Sequence, residues 1–275
     1  MSVTRRWFGA LQRAFGAKPA PRGKPARGEP GRPPLPRLAL THEPDTTYAI
    51  GDVHGCLDQL RALEARILDD ARGRPGSKLI VMLGDYVDRG PDSAGVLAHL
   101  AAPPPEGFRR VCLRGNHDDV LLRLLEGRVD PRWWLGFGGA QTLLSYGLDP
   151  APLGNDRRVL AALVRRLAAE MPRAHRRFLA ACPVALITPR HLFCHAGARP
   201  GVALEAQSDE DLLWLRGPFL EHRGASFERT IVHGHTPAPT PFVSPYRIGL
   251  DTNACRGGRL SAARLAGGEV TILQA

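Results

Sequence analysis

From about residue 46 onward, short apolar runs alternate with polar loops and helical patterns, three times over. "TYAI" runs into "GDVHG" and then "LDQLRALEARILDDA", and "KLIVML" runs into "GDYVDRG" and then "DSAGVLAHL". "RRVCL" runs into "RGNHD" and then "DVLLRLLEG". Asp52 precedes Asp85 by 33 residues and Asp85 precedes Asn116 by 31, each the length of one strand, helix, strand unit. Such units give parallel strands, and ligands of open α/β sheets bind beyond the carboxyl ends of the strands. The three polar loops are therefore expected on one edge.

The pattern turns helical at about 131–182, with Gly138, Gly139 and Gly147 as breaks, and predicts a helical insert beside the sheet. Strand signals return in "VALIT", "HLFCHAG", "ERTIVHGHT", "YRIGLDT", "RLSAARL" and "EVTIL", which read as a second, partly antiparallel sheet. The expected fold is α/β, two packed mixed sheets flanked by helices, forming one catalytic domain over 46–275.

Charge does not belong to that domain. The formal net charge is +10, but nine of the 37 basic residues fall within the first 40 positions against Glu29 alone. The 28 basic and 26 acidic residues beyond are nearly balanced, which argues against a specific nucleic-acid partner. Rich in Pro, Gly and Arg, residues 1–40 read as a disordered basic tail. Its start, "RRWFGALQRAFG", has the pattern of a short amphipathic helix, with weak contact with an acidic surface as a secondary role. No apolar stretch is long enough for a membrane span or a secretory signal. An Arg-rich, acid-poor start also fits an organelle transit peptide. Five scattered cysteines without a CxxC pair point to a reducing compartment, and the expected location is cytoplasmic.

One Asp or His in a loop is ordinary turn chemistry. Here five segments each end an apolar run and deliver metal-type donors: Asp52 and His54, Asp85, Asn116, His195, and His235. Oxygen and imidazole donors without thiolate suit Mn²⁺, Fe or Zn²⁺. Six donors exceed the need of one ion with open positions, and a carboxylate such as Asp85 can bridge two. A pair of ions about 3.5 to 4 Å apart is a known solution for in-line displacement at phosphorus.

These residues resemble the phosphoprotein phosphatases, whose signatures are GDxHG, GDxVDRG and GNHE followed by two later histidines, over roughly 47–255. The resemblance implies a calcineurin-like metallophosphoesterase fold. It implies two divalent ions, Mn²⁺ first with Fe or Zn²⁺ as alternatives, the first held by Asp52, His54 and bridging Asp85, the second completed by Asn116, His195 and His235. It makes His117 the general acid, with Asp88 orienting it and favouring its charged form. Arg89 and Arg114 match phosphate-binding arginines, and Arg216 in "LLWLRGPF" is similar to the third in the bacteriophage lambda phosphatase. His233, two residues before His235, is not counted as a ligand.

Two activities remain within the family. "GDVHGC" and "GNHD" look like the symmetrical diadenosine tetraphosphatases. That branch tends to lose the residues standing here as Asp88 and Thr236, and it carries a long insertion where His195 and His235 are only 40 residues apart. The ending resembles bacterial protein phosphatases, with Asn253 replacing the glycine of their "DTGA". The expectation is a bacterial-type serine/threonine phosphoprotein phosphatase, with dinucleoside polyphosphate hydrolysis as the alternative.

Overall fold

The computed structural model describes residues 33–150, 156–222 and 227–275. Three apolar runs become the parallel strands β2 (Thr46–Ile50), β3 (Lys78–Met82) and β4 (Phe108–Cys112). Helices α1 (Leu57–Asp70), α2 (Ser93–Ala101) and α3 (Asn116–Leu125) follow them in turn. Alternation along each strand sorts its side chains between two faces. Tyr48, Ile50, Ile80 and Met82 pack outward with Leu60, Leu63, Leu97 and Val120 of the helices. Ala49, Leu79 and Val81 face inward with Phe193, Val232 and Ile248 of a second sheet.

That second sheet contains β1 (Arg37–Ala39), β5 (Ala185–Ile187), β6 (His191–Cys194), β7 (Thr230–His233), β8 (Phe242–Val243) and β9 (Arg247–Gly249). Their order is β1-β5-β6-β7-β9-β8, with β6, β7 and β9 parallel. Its outer face carries Leu192, Cys194 and Ile231 against Leu212, Leu213 and Phe219. The product is helices, sheet, sheet, helices, with the inward faces forming the central core.

Two expectations need correction. The strands β10 (Ser261–Ala266) and β11 (Glu269–Gln274), expected in the second sheet, extend the first in the order β11-β10-β2-β3-β4. The fully buried β2 has a second edge whose backbone groups need partners, and β10 pairs antiparallel along its whole length. The tail boundary at residue 40 is also too late. Leu35 N–H donates to Asp209 Oδ2 at 2.8 Å, Arg37 bonds Asp209 Oδ1 at 2.7 Å, and β1 then pairs parallel with β5 at the sheet edge. Prolines on either side are compatible with an edge strand. Residues 1–32, including the "RRWFGALQRAFG" segment, lie outside the described residues.

The stretch after α3 contains α4 (Pro131–Trp134), a π-helical turn at Leu135–Gly139, α5 (Ala140–Ser145), α6 (Arg157–Glu170) and α7 (Arg173–Ala181). Two short helices, α8 (Asp209–Trp214) and α9 (Gly217–Leu220), flank the second sheet. Among the described residues no helix is long and apolar enough to cross a membrane.

Candidate metal centre

The five strands whose ends carry the candidate donors finish at the same place. β2 delivers Asp52 and His54, β3 delivers Asp85, Asp88 and Arg89, and β4 runs through Gly115 into Asn116 and His117 at the start of α3. From the other sheet, β6 delivers His195 and β7 delivers His235. The chain turns abruptly at each point. Among the described residues, the non-glycine positions with positive φ are His54, Asp85, Asp88, Arg89, His235 and Asn253. Five of those six are expected site residues, so the backbone strain is concentrated where the side chains converge. Gly234 lets the sheets interlock, because a Cβ there would overlap Asp52 Oδ1.

Two groups of buried donors emerge, each with ligand atoms within 4.8 Å of one another: His54, Asp85 and His117, and Asp85, His195 and His235. Asp85 stands between them. Its Oδ2 lies 3.4 Å from His54 Nε2 and its Oδ1 lies 3.4 Å from His195 Nε2. Asn116 Oδ1 is 2.7 Å from His195 Nε2 and 2.9 Å from His235 Nδ1. Asp52 lies outside both groups and accepts the His235 backbone N–H at 3.0 and 3.1 Å.

The donor set fits cations. His195 Nδ1–H donates to Leu83 O at 2.9 Å, which turns its Nε2 lone pair toward the Asn116 oxygen. Two acceptors so close need a proton or a metal ion between them. Burial pushes His195 down, but the Asp85 and Asp52 carboxylates outweigh it and lift the imidazole to about 9. Burial also opposes ionisation of Asp85, but His195, His117 and His54 prevail and hold it well below the usual carboxylate range. Burial and the neighbouring Asp251 drive Asp52 well above that range. Such a crowd of buried carboxylates calls for positive charge beside it.

His117 has no exposed surface and is edge-on to His54 at 4.7 Å. Its Nδ1–H donates to Asp88 Oδ2 at 2.8 Å, and its buried Nε2 has no hydrogen-bond partner among the described residues. Asp88 was expected to favour the charged imidazole. Complete burial acts the other way on both groups, driving His117 well down and lifting Asp88 to about 8.

The three arginines separate. Arg89 Nη1 donates to His54 Nε2 at 2.8 Å, and Arg216 donates from Nε to His235 Nε2 and from Nη2 to His235 O, both at 3.1 Å. Arg114 is not brought to this place. Only 3% exposed, it points its guanidinium at Asp119 and at the carbonyls of Leu179 and Ala180, satisfying the end of α7. His233 packs edge-on to Phe219, away from both donor groups.

The match to the calcineurin-like phosphoesterase family model covers residues 46–260, most of the chain. The chain belongs to this family. It is a metallophosphoesterase, and its fold is the one expected from the sequence. This phosphoesterase is 29% identical over 224 residues to serine/threonine-protein phosphatase 1 of Salmonella typhimurium, covering 79% of this chain and 91% of that relative. It is 26% identical over 238 residues to the asymmetrical bis(5'-nucleosyl)-tetraphosphatase PrpE of Bacillus thuringiensis, covering 78% and 88%. The crystal structure of a cold-active protein-tyrosine phosphatase from a psychrophilic Shewanella superposes with a TM-score of 0.57 at 17% identity, over 88% of this chain and 82% of that one.

Sequence reasoning missed two supports of the phosphoesterase centre. Asp118 served there only to separate branches. Its carboxylate accepts the N–H groups of Asp85, Tyr86 and Gly115 at 2.8, 3.0 and 2.8 Å and so ties the β3 loop to the start of α3. Phe137, on the π-helical turn, stacks on His117 with centroids 3.8 Å apart and planes 8° apart. Trp133 stacks on Phe137 at 4.7 Å, and Trp214 tilts against it at 5.9 Å. Trp133 and Phe137, close together in "WWLGFGG", were a visible signal for an aromatic wall.

Proposed function

We propose that this metallophosphoesterase is a phosphomonoesterase acting on phosphoserine and phosphothreonine in proteins. The observation that carries the reading is the buried His117, held at Nδ1 by Asp88 and left free at Nε2, beside the convergent donors. An alkoxide leaves phosphorus poorly unless it is protonated, and a positioned imidazole meets that need. Burial disfavours its charge, whereas a phosphate dianion brings negative charge that favours the imidazolium. The name of the Salmonella relative supports the same substrate class.

In this reading Asp52, His54 and Asp85 hold one divalent ion, and Asp85, Asn116, His195 and His235 hold a second, with Mn²⁺ foremost and Fe or Zn²⁺ as alternatives. Bound there, the ions supply Lewis acidity and a lowered pKa for water at the phosphorus. Arg89 and Arg216, whose guanidiniums rest on two of the histidines, turn to grip the phosphate oxygens. Free cysteines throughout the described residues support a reducing, cytoplasmic setting.

A second reading, hydrolysis of dinucleoside polyphosphates, is favoured by the partly buried Trp133, Phe137 and Trp214 beside His117, since bases stack on such rings. The name of the Bacillus relative points the same way. Mn²⁺-loaded protein assayed on phosphoserine and phosphothreonine peptides and on diadenosine tetraphosphate decides between them. Preferential release of phosphate from the peptides is expected, and far faster cleavage of the dinucleotide would overturn the first reading.

A further inference from the structure

One polar side chain in the helical insert reaches Asp88, the hydrogen-bond partner of His117. Thr142 sits on α5, has no exposed surface, and meets Asp88 in two ways. Its Oγ1 donates to Asp88 Oδ1 at 2.7 Å and accepts the Asp88 backbone N–H at 2.9 Å. Asp88 Oδ2, the other oxygen, accepts His117 Nδ1–H at 2.8 Å. Ser93 Oγ completes the arrangement, 3.1 Å from Thr142 Oγ1 and 3.1 Å from the Asp88 nitrogen.

A single hydroxyl thus holds both the backbone and the carboxylate of a residue whose φ is 69°, a conformation that a non-glycine residue keeps only when its surroundings enforce it. The helix that supplies the hydroxyl is itself anchored. Ser145 Oγ accepts the Ala94 N–H at the start of α2 at 3.2 Å, and Gly138 O, just before α5, accepts the Arg89 N–H at 3.0 Å. Apart from Asp88, the Thr142 hydroxyl meets among the described residues only Ser93 Oγ, which itself accepts the Asp88 N–H. The Thr142 methyl is a small apolar surface that valine would reproduce, and an unpartnered hydroxyl at this depth would be costly. The short polar contacts are therefore directed at Asp88.

We propose that Thr142 is a positioning residue of the general acid, fixing the Asp88 backbone and carboxylate so that His117 keeps its Nδ1 bond and presents Nε2 to the leaving group. The proposal rests on the reading of His117 as the acid. Thr142 touches no reacting atom and acts only through Asp88. It places the insert in the catalytic apparatus, where the sequence suggested only helices beside the sheet.

The test compares Thr142→Val, Thr142→Ala and Thr142→Ser, each loaded with Mn²⁺, on an alkyl phosphate and on an aryl phosphate whose leaving group needs no proton. Thr142→Val is expected to lower kcat on the alkyl ester by roughly 10- to 100-fold, a part of what a general acid supplies, with a much smaller loss on the aryl ester and little change in KM. Thr142→Ser, which keeps the hydroxyl, is expected to restore most of the alkyl activity. Alanine and serine both remove the methyl, so their ratio isolates the hydroxyl even if the valine variant does not fold. Equal losses on the two esters, or a serine variant no better than alanine, would overturn the proposal. His117→Asn is run in parallel. If it also loses equally on both esters, the acid assignment falls and takes this proposal with it. If His117→Asn discriminates and the Thr142 series does not, only the role of Thr142 falls.

Discussion

Gly234→Ala tests whether the close interlock of the two sheets sets the geometry of the centre. The backbone of Gly234 lies outside the left-handed region, so alanine brings no conformational strain, only volume. That volume falls on Asp52 Oδ1, far inside the 3.0 Å that real Cβ atoms keep from their neighbours. The carboxylate must retreat by roughly 1 Å, and a misplacement of that size costs about 10²-fold in rate. Metal-ligand distances tolerate only about 0.2 Å, so metal affinity should fall as well, by about 10²-fold or 2.7 kcal/mol. Asp52 also gives up its two contacts with the His235 N–H, which loosens the segment carrying the candidate ligand. Overpacking should cost the metal-free protein about 1 to 3 kcal/mol, leaving a folded molecule to measure. The assay is calorimetric titration of Mn²⁺ into chelator-treated protein, with turnover of an aryl phosphate at saturating metal and urea unfolding as the control. A folded variant that binds Mn²⁺ within threefold of the parent and turns over at the parental rate would refute the argument.

Three further outcomes follow from other parts of the molecule. Arg114→Met should destabilise by about 3 to 5 kcal/mol in urea unfolding, because it leaves Asp119 and two helix carbonyls without their buried guanidinium. A weakened phosphate KM with unchanged stability would restore the phosphate-binding assignment. Stripping the metal should lower thermal stability by roughly 5 to 10 °C, from about 2.7 kcal/mol of binding at a hundredfold excess over Kd, and Mn²⁺ should restore it in calorimetry. Glu43 accepts from His191 Nδ1 at 2.6 Å, Arg190 N–H at 3.1 Å and Thr188 Oγ1 at 3.1 Å, and against the effect of burial these bonds hold its carboxyl below the ordinary 4.5. Because the folded value lies below the unfolded one, its contribution is present above pH 4.5 and lost as pH falls through the folded value, so Glu43→Gln should flatten the stability curve only in acid.

The sequence made the strand ends legible because a buried parallel strand is a nearly continuous apolar run, and polar residues just after it stand out. Asp52, His54, Asp85, Asn116, His195 and His235 all lay in that position. Direction was not legible. Arg89 and Arg114 both follow site strands, β3 and β4, yet one reaches His54 and the other turns to the end of α7, which the local motif cannot specify. Sheet membership failed for a related reason, since the alternation of β10 fits either sheet and its partner β2 is far away in the chain. Thr142 and Asp118 were invisible as supports because the residues they tie down, Asp88 for one and Asp85 and Tyr86 for the other, lie on another loop. Phe137 was closer to reach, flagged by glycines that permit the π-helical turn.

The late pairing of β2 has a consequence for synthesis. While the ribosome is still making the rest of the chain, Thr46–Ile50 can pair with β3 but waits for Ser261–Ala266 to cover its other edge. An open edge on a strand destined for full burial is a template for pairing with a neighbouring nascent chain. The candidate ligand set is likewise split, with Asp52 emerging early and His235 late. Production of this protein should therefore respond to chaperone supply and to translation speed, and chains released before β10 should accumulate as aggregates.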